Sequence, residues 1–140
     1  FTYEKGIEEL LRHDPDVIFI GETRNSYTAK MVVRCALTGS LAFTTLHASN
    51  ALEAIQRLED LSVSTYDLKN TLTALIGQRL YQSPKGKECI YEILSGQDLQ
   101  YALEHKAYPK GFKTLSNEIQ EALDTQRIQD PQARFDLQNL

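Results

Sequence analysis

The sequence of 140 residues has no long hydrophobic run: its longest strongly apolar stretch is Val17-Ile18-Phe19-Ile20, far below the roughly 20 residues that span a bilayer. No transmembrane segment is expected. Cysteine is scarce, and Cys35 and Cys89 stand far apart without a CxxC. That excludes a disulfide scaffold and fits a reducing compartment, with two packing thiols rather than a zinc site. His13, His47 and His105 have no His, Cys or Glu at ligand spacing, and no GxSxG surrounds Ser40, Ser49 or Ser64. A metal centre and a nucleophile elbow are thereby disfavoured. Positive charge is not in excess either. With a net charge of -4 and a pI near 5.4, the chain has no global field to attract phosphate backbones, so direct nucleic-acid binding is not expected. The glycines at 6, 21, 39, 77, 86, 96 and 111 never build GxxxxGK[ST], so a phosphate-cradling loop is missing from these residues. There is no internal repeat and no low-complexity tract. No basic stretch leads into an apolar one, and the first residue is Phe1, so the chain is expected to be cut from a longer one.

What is present is a composition of 41% hydrophobic and 24% charged residues, ordinary for one folded domain that buries roughly 70% of its extended surface. Thr2 can cap a helix over 3–13 that Asp14-Pro15 stops. The continuous apolar run 16–21 predicts a central parallel strand buried on both faces. Asn25 or Ser26 opens a helix with Ala29, Val32, Val33, Ala36 and Leu37 at helical spacing, closed near Gly39. Residues 41–46 form a second strand, giving a βαβ crossover. Asn50 caps a further helix, with Glu53 placed to return a bond to the cap's N–H. Ser64 and Asp67 start another, whose stripe of Leu68, Leu72, Leu75 and Ile76 predicts a helix running to Gly77. Residues 78–82 and 88–94 flank Ser83-Pro84-Lys85-Gly86 and read as an antiparallel hairpin that makes the sheet mixed. Beyond Ser95 the pattern is helical, with a loop at 108–111 and a last helix starting at Asp130-Pro131. The class is α/β, with a helical layer at the C-terminal end. The expected division is 1–94 and 95–140.

The most informative stretch is Asp16 to Asn25, an apolar strand ending in Gly21-Glu22 and followed by Thr23 and Arg24. A carboxylate at the carboxyl end of a parallel strand sits where α/β folds bind ligands. Glu22 can deprotonate or orient water in nucleotide hydrolysis, and Arg24 can meet developing phosphate charge; equally, Glu22 can be a turn residue bonded to backbone amides. His47 follows the second strand in Thr44-Thr45-Leu46-His47-Ala48-Ser49-Asn50, so it and Glu22 should emerge from one end of neighbouring strands about 4.8 Å apart. It can donate to a phosphate oxygen, or simply be a loop histidine beside a capping asparagine. Lys69, Arg79, Lys85 and Lys87 lie in a stretch without acids, read either as a polyanion-binding patch or as a solvated face.

In order and spacing, Leu11-Arg12-His13-Asp14-Pro15-Asp16-Val17-Ile18-Phe19-Ile20-Gly21-Glu22-Thr23-Arg24, Ala36-Leu37-Thr38-Gly39, Thr45-Leu46-His47-Ala48-Ser49-Asn50-Ala51 and Gln78-Arg79-Leu80 resemble the secretion ATPases of type II secretion and type IV pilus assembly. The resemblance covers residues 2 to about 82. It implies a RecA-like P-loop NTPase domain of which this chain is the C-terminal part, with the Walker A loop upstream. Asp16–Glu22 resembles the Walker B motif, with Glu22 acting on water, Gly21 beside the nucleotide, and Mg2+ reached from Glu22 through water rather than by a direct protein ligand. Thr45–Ala51 resembles the histidine box, with His47 as γ-phosphate sensor and Thr45 near the nucleotide. Arg79 of Gln-Arg-Leu is a further nucleotide-side residue on the same ground. ATP and Mg2+ are the implied ligands, a homo-hexamer and an inner-membrane platform protein the implied partners, and the cytoplasmic face of the membrane the implied location. The members' Gly-Glu-x-Arg-Asp ends here in Asn25, and the tetracysteine loop of many secretion members is replaced by Tyr81-Gln82-Ser83-Pro84. That omission resembles the Gram-positive competence pseudopilus ATPases, which support DNA uptake. The alternative expectation is a non-enzymatic module that docks into the motor ring or onto the platform protein.

Overall fold

A computed structural model describes residues 2–140, so Phe1 and the expectation attached to it lie outside the described residues. The elements are α1 (Tyr3–Arg12), β1 (Val17–Ile20), α2 (Ser26–Leu37), β2 (Leu41–Thr44), α3 (Ala51–Asp60), α4 (Thr65–Thr71), β3 (Ala74–Ser83), β4 (Gly86–Ser95), α5 (Gly96–His105), α6 (Leu115–Asp124) and α7 (Pro131–Asn139). They form two compact units. One runs up to His47 and includes Ile55–Leu72; the other comprises Ala48–Ala54 and Thr73–Leu140.

In the first unit, Thr2 caps α1 by accepting the Lys5 N–H at 3.2 Å, which satisfies one of the donors a helix start leaves open. Asn25 does the same for α2, accepting the Thr28 N–H at 2.8 Å. Gly39 takes up a φ of +100 after α2, a conformation open to glycine because it lacks a Cβ. β1 and β2 pair in parallel with Val17 beside Leu41 and Phe19 beside Phe43. Ile7, Ile18, Ile20, Met31 and Cys35 form the core. The strand was expected to be buried on both faces, and here it is not. Ile18 and Ile20 point into the core, whereas Val17 and Phe19 are 57% and 70% exposed, as are Leu41 and Phe43 beside them at about half. α1 and α2 supply apolar side chains to one face of this two-stranded sheet only, so burial alternates along the strand.

Two further expectations are corrected. The helix starting at Ser64 stops at Thr71, with Leu72 already extended at ψ 123. Leu75 and Ile76 belong to β3 instead, opposite Leu94 and Ile93. A short apolar run fits either period, and here the hairpin ladder, from Ala74 opposite Ser95 to Ser83 opposite Gly86, captures it. That hairpin also forms a sheet of its own, so the single mixed sheet is replaced by a parallel pair and an antiparallel pair. The long ladder satisfies the inner edge of each hairpin strand without needing β1 or β2.

In the second unit, Tyr81 and Ile90 of the hairpin pack with Leu115, Ile119 and Ala122 of α6, Ile128, and Ala133 of α7. Thr114 and Asn117 form a reciprocal capping box on α6. Asp130 caps α7 and also accepts the Gln82 N–H at 3.0 Å, tying the helix to the hairpin. Cys35 is a packing thiol, as expected, whereas Cys89 is exposed. Within the hairpin the basic residues do not share one face. Lys69 lies in α4 of the first unit, and in the hairpin Arg79 is drawn to the side of Tyr81, while Lys87 sits opposite Gln82 on the other face.

Candidate active site

Because β1 and β2 are parallel and in register, Gly21-Glu22-Thr23 and Thr45-Leu46-His47 leave the sheet at the same end, where open α/β sheets gather their ligands. Three hydrogen bonds stitch the two exits together. The Thr23 N–H donates to the Thr45 carbonyl at 2.9 Å, the Thr45 hydroxyl to the Gly21 carbonyl at 2.5 Å, and the Thr23 and Thr44 hydroxyls meet at 2.8 Å. Thr23 is buried, so this tie is shielded from water.

On that frame the Glu22 carboxylate is held from two sides. Its Oε2 accepts from Arg24 Nε at 2.7 Å, and its Oε1 lies 3.0 Å from His47 Nε2. The His47 side chain is 91% exposed and that of Glu22 only 25%. The donors therefore face solvent while the acid is recessed between them. Exposed ion pairs contribute about 0–1 kcal/mol each, so the cluster fixes the direction of the carboxylate more than it stabilises the fold. A carboxylate has about four lone-pair positions; with two engaged, it can still accept from a water molecule. The surroundings of Gly21 are open, which leaves the strand end accessible.

Glu22, Arg24, His47, Gly21 and Thr45 are thus gathered in the first unit. Arg79 belongs to the second, where its Nη2 donates to the Ser49 carbonyl at 2.8 Å and its Nη1 to the Gln78 carbonyl at 2.9 Å. The expected return bond from Glu53 is made one residue earlier, to the Ser49 N–H at 2.7 Å, while Asn50 caps α3 through the Glu53 N–H at 2.9 Å. The longer glutamate side chain reaches past the cap residue. Among the described residues no group of three or more His, Cys, Asp or Glu side chains could hold a metal ion, and no helix is long and apolar enough to cross a membrane.

A strand-end carboxylate paired to a histidine from the neighbouring strand, in this order along the chain, coincides with a family match. The model for type II/IV secretion system proteins matches residues 1–128. The chain belongs to that family. It is 37% identical to competence protein ComGA of Halalkalibacterium halodurans, a match that covers 95% of this chain and 43% of the relative. It is 35% identical to ComGA of Bacillus subtilis, covering 74% of this chain and 34% of the relative. Among solved structures it superposes on the pilus retraction motor PilT with bound ADP at a TM-score of 0.81 and 26% identity, over 96% of this chain and 43% of PilT. The fold is accordingly that of an α/β RecA-like ATPase domain, and the chain spans less than half the length of these relatives.

Within this family member, one residue of interest escaped the sequence reading. Glu92 on β4 is only 2% exposed. Its Oε1 accepts the Ala51 N–H at 2.8 Å and the Tyr108 hydroxyl at 2.7 Å, and its Oε2 accepts the Leu115 N–H at 2.6 Å. Two of those donors are the first amides of α3 and α6, where the helix dipole favours negative charge. Burial and the bond to Glu92 push the Tyr108 hydroxyl above its ordinary range. Gly77 stands opposite Glu92 in the hairpin. A Cβ at Gly77 would lie 3.2 Å from Glu92 Cγ and 3.3 Å from Oε1. The sequence signal is faint: Glu92 is the one charge in the otherwise apolar stretch Cys89–Leu94.

Proposed function

We propose that the complete protein is a cytoplasmic motor ATPase of secretion or pilus assembly that couples ATP hydrolysis to the assembly of pilins or pseudopilins, in the service of competence and DNA uptake. The observation that carries the reading is the recessed Glu22 carboxylate between Arg24 and His47 at the shared end of two parallel strands. In this reading Glu22 orients and deprotonates the attacking water. His47 exchanges its hydrogen bond to Glu22 for one to the γ-phosphate and so reports the nucleotide state, and Arg24 meets the charge that develops on the phosphoryl group. Gly21 and Thr45 line the nucleotide side. Glu22 would hold Mg2+ through water, since hard carboxylate oxygens are the kind of ligand Mg2+ keeps, and the ion would neutralise charge on the phosphates. The ComGA relatives support the competence role, and PilT supports nucleotide binding by this fold. A homo-hexamer working against an inner-membrane platform protein completes the proposal.

The test is Glu22→Gln in the complete protein. Steady-state phosphate release should fall by about a hundredfold or more, while ATP binding measured with a fluorescent analogue persists. Loss of nucleotide binding would make Glu22 structural, hydrolysis at the wild-type rate would remove Glu22 from the chemistry, and absence of hydrolysis by the wild-type protein would leave the docking-module reading in its place.

A further inference from the structure

We infer that Glu92 and Arg79 are positioning residues through which the C-terminal helical layer sets the histidine box. The inference rests on the ATPase reading above and deepens it. His47 is followed directly by Ala48-Ser49-Asn50-Ala51, and those residues belong to the second unit, so the unit boundary falls inside the box. Two side chains of the hairpin grip this segment. Arg79 holds the Ser49 carbonyl at 2.8 Å, and Glu92 holds the Ala51 N–H at 2.8 Å. Each is tied in turn to the helical layer. Glu92 accepts from Tyr108 and from the Leu115 N–H at the start of α6. Arg79 Nε lies 3.9 Å from the Asp136 carboxylate of α7, which also accepts the Tyr81 hydroxyl at 2.5 Å.

A carboxyl buried to this degree and bonded to three donors has one geometry available, because any rotation strands a buried N–H. The Ala51 amide and the α6 amide therefore move together or not at all. Gly77 supports the same point, since the absence of its side chain leaves room for the carboxyl to reach the Ala51 N–H, which lies 3.6 Å from where a Cβ would be. A displacement of α6 or α7 thus reaches Ser49 and Ala51, the part of the box that follows His47 in the chain. Neither Glu92 nor Arg79 needs to touch nucleotide for this, and neither is a catalytic residue in this account.

The experiment compares Glu92→Gln with wild type in the complete protein. Gln keeps the volume but places an amide N–H₂ among donors, so backbone hydrogen exchange at 51–54 should rise while exchange at 17–20 and 41–44 stays as it was. kcat should fall by about tenfold to a hundredfold, as expected for a misplaced catalytic group, with KM for ATP within about twofold. The decisive readout is non-additivity: in a His47→Ala background, Glu92→Gln should cause no further loss of kcat. Additive losses, a rise in KM with kcat unchanged, or unchanged exchange at 51–54 each overturn the inference. If Glu92→Gln does not fold, Tyr108→Phe and Arg79→Lys take its place, with the same split and the same non-additivity required of both. Glu22→Gln in parallel separates the two readings. If it leaves hydrolysis intact, the catalytic assignment of Glu22 fails, and if it abolishes hydrolysis while Glu92→Gln does not slow it, only the present inference fails.

Discussion

At the scale of single residues, the cost of burying charge decides what each acid does. Glu22 is partly exposed and has two cationic or polar neighbours, so its neighbours can be exchanged for ligand at little cost. Glu92 is enclosed, and removing any of its three donors or the carboxyl itself leaves buried polar groups unpaired, at about 1–3 kcal/mol per group. Gly77 is the sensitive neighbour. Its φ is unremarkable, so the reason for glycine is the close approach of the Glu92 side chain at 3.2–3.3 Å. Gly77→Ala is expected to destabilise the protein by about 1–3 kcal/mol through overpacking, read as a lowered urea midpoint. An unchanged midpoint would mean that the Glu92 carboxyl shifts freely and its hydrogen bonds are weak. The contrast also explains what the sequence could disclose. The positions of Glu22 and His47 are legible because one follows a short apolar run and the other a short β-prone run, and strand ends are where α/β folds gather ligands. Glu92 is hidden because Ile90, Glu92 and Leu94 form the inward phase of β4 while Tyr91 and Ile93 face out. Judged by polarity alone, that strand would be turned the other way.

At the scale of elements, caps and turn residues were legible and competition between partners was not. Thr2, Asn25, Ser64 and Asp130 all accept amide bonds at the helix starts where they were anticipated, because capping is decided within four residues. The end of α4 is decided elsewhere, by Leu94 and Ile93 about 20 residues on, and no local pattern contains that choice. Asp130 offers a prediction at this level. Accepting the Gln82 and Gln132 amides lowers its carboxyl below the ordinary value of 3.8, so the ionised form is favoured in the folded state. Its contribution is therefore complete above the unfolded value and is lost as pH falls from about 4 through the lowered folded value. Asn keeps a capping oxygen without the charge. The urea midpoint of Asp130→Asn should therefore lie below that of wild type at pH 6, and the gap should close as pH is lowered toward 3. A gap that stays constant across this range would show that charge contributes nothing at this cap.

For the whole molecule, the question is what a chain with the proposed water-side residues but no phosphate-cradling loop can do. The 140 residues contain no GxxxxGK[ST], and they span 43% of the ComGA relative and 43% of PilT. Phosphoryl transfer depends on positioning: loop amides and a lysine hold the β- and γ-phosphates, and only then does a carboxylate on the opposite side have a water to direct. In the proposed reading Glu22, Arg24 and His47 meet the γ-phosphate, and three polar groups at one strand end do not by themselves hold a triphosphate in line. The exposed face of Val17, Phe19, Leu41 and Phe43 belongs to the same question, since parallel strands are ordinarily covered on both faces. The 140-residue chain by itself is therefore expected to show no phosphate release above that of its own Glu22→Gln variant, measured with saturating Mg-ATP. The comparison must be with that variant rather than with buffer, because a contaminating ATPase would be present equally in both preparations. Glu22-dependent turnover by the isolated chain would show that nucleotide is held by residues already present here, and the division of labour between water-side and phosphate-side residues would have to be redrawn.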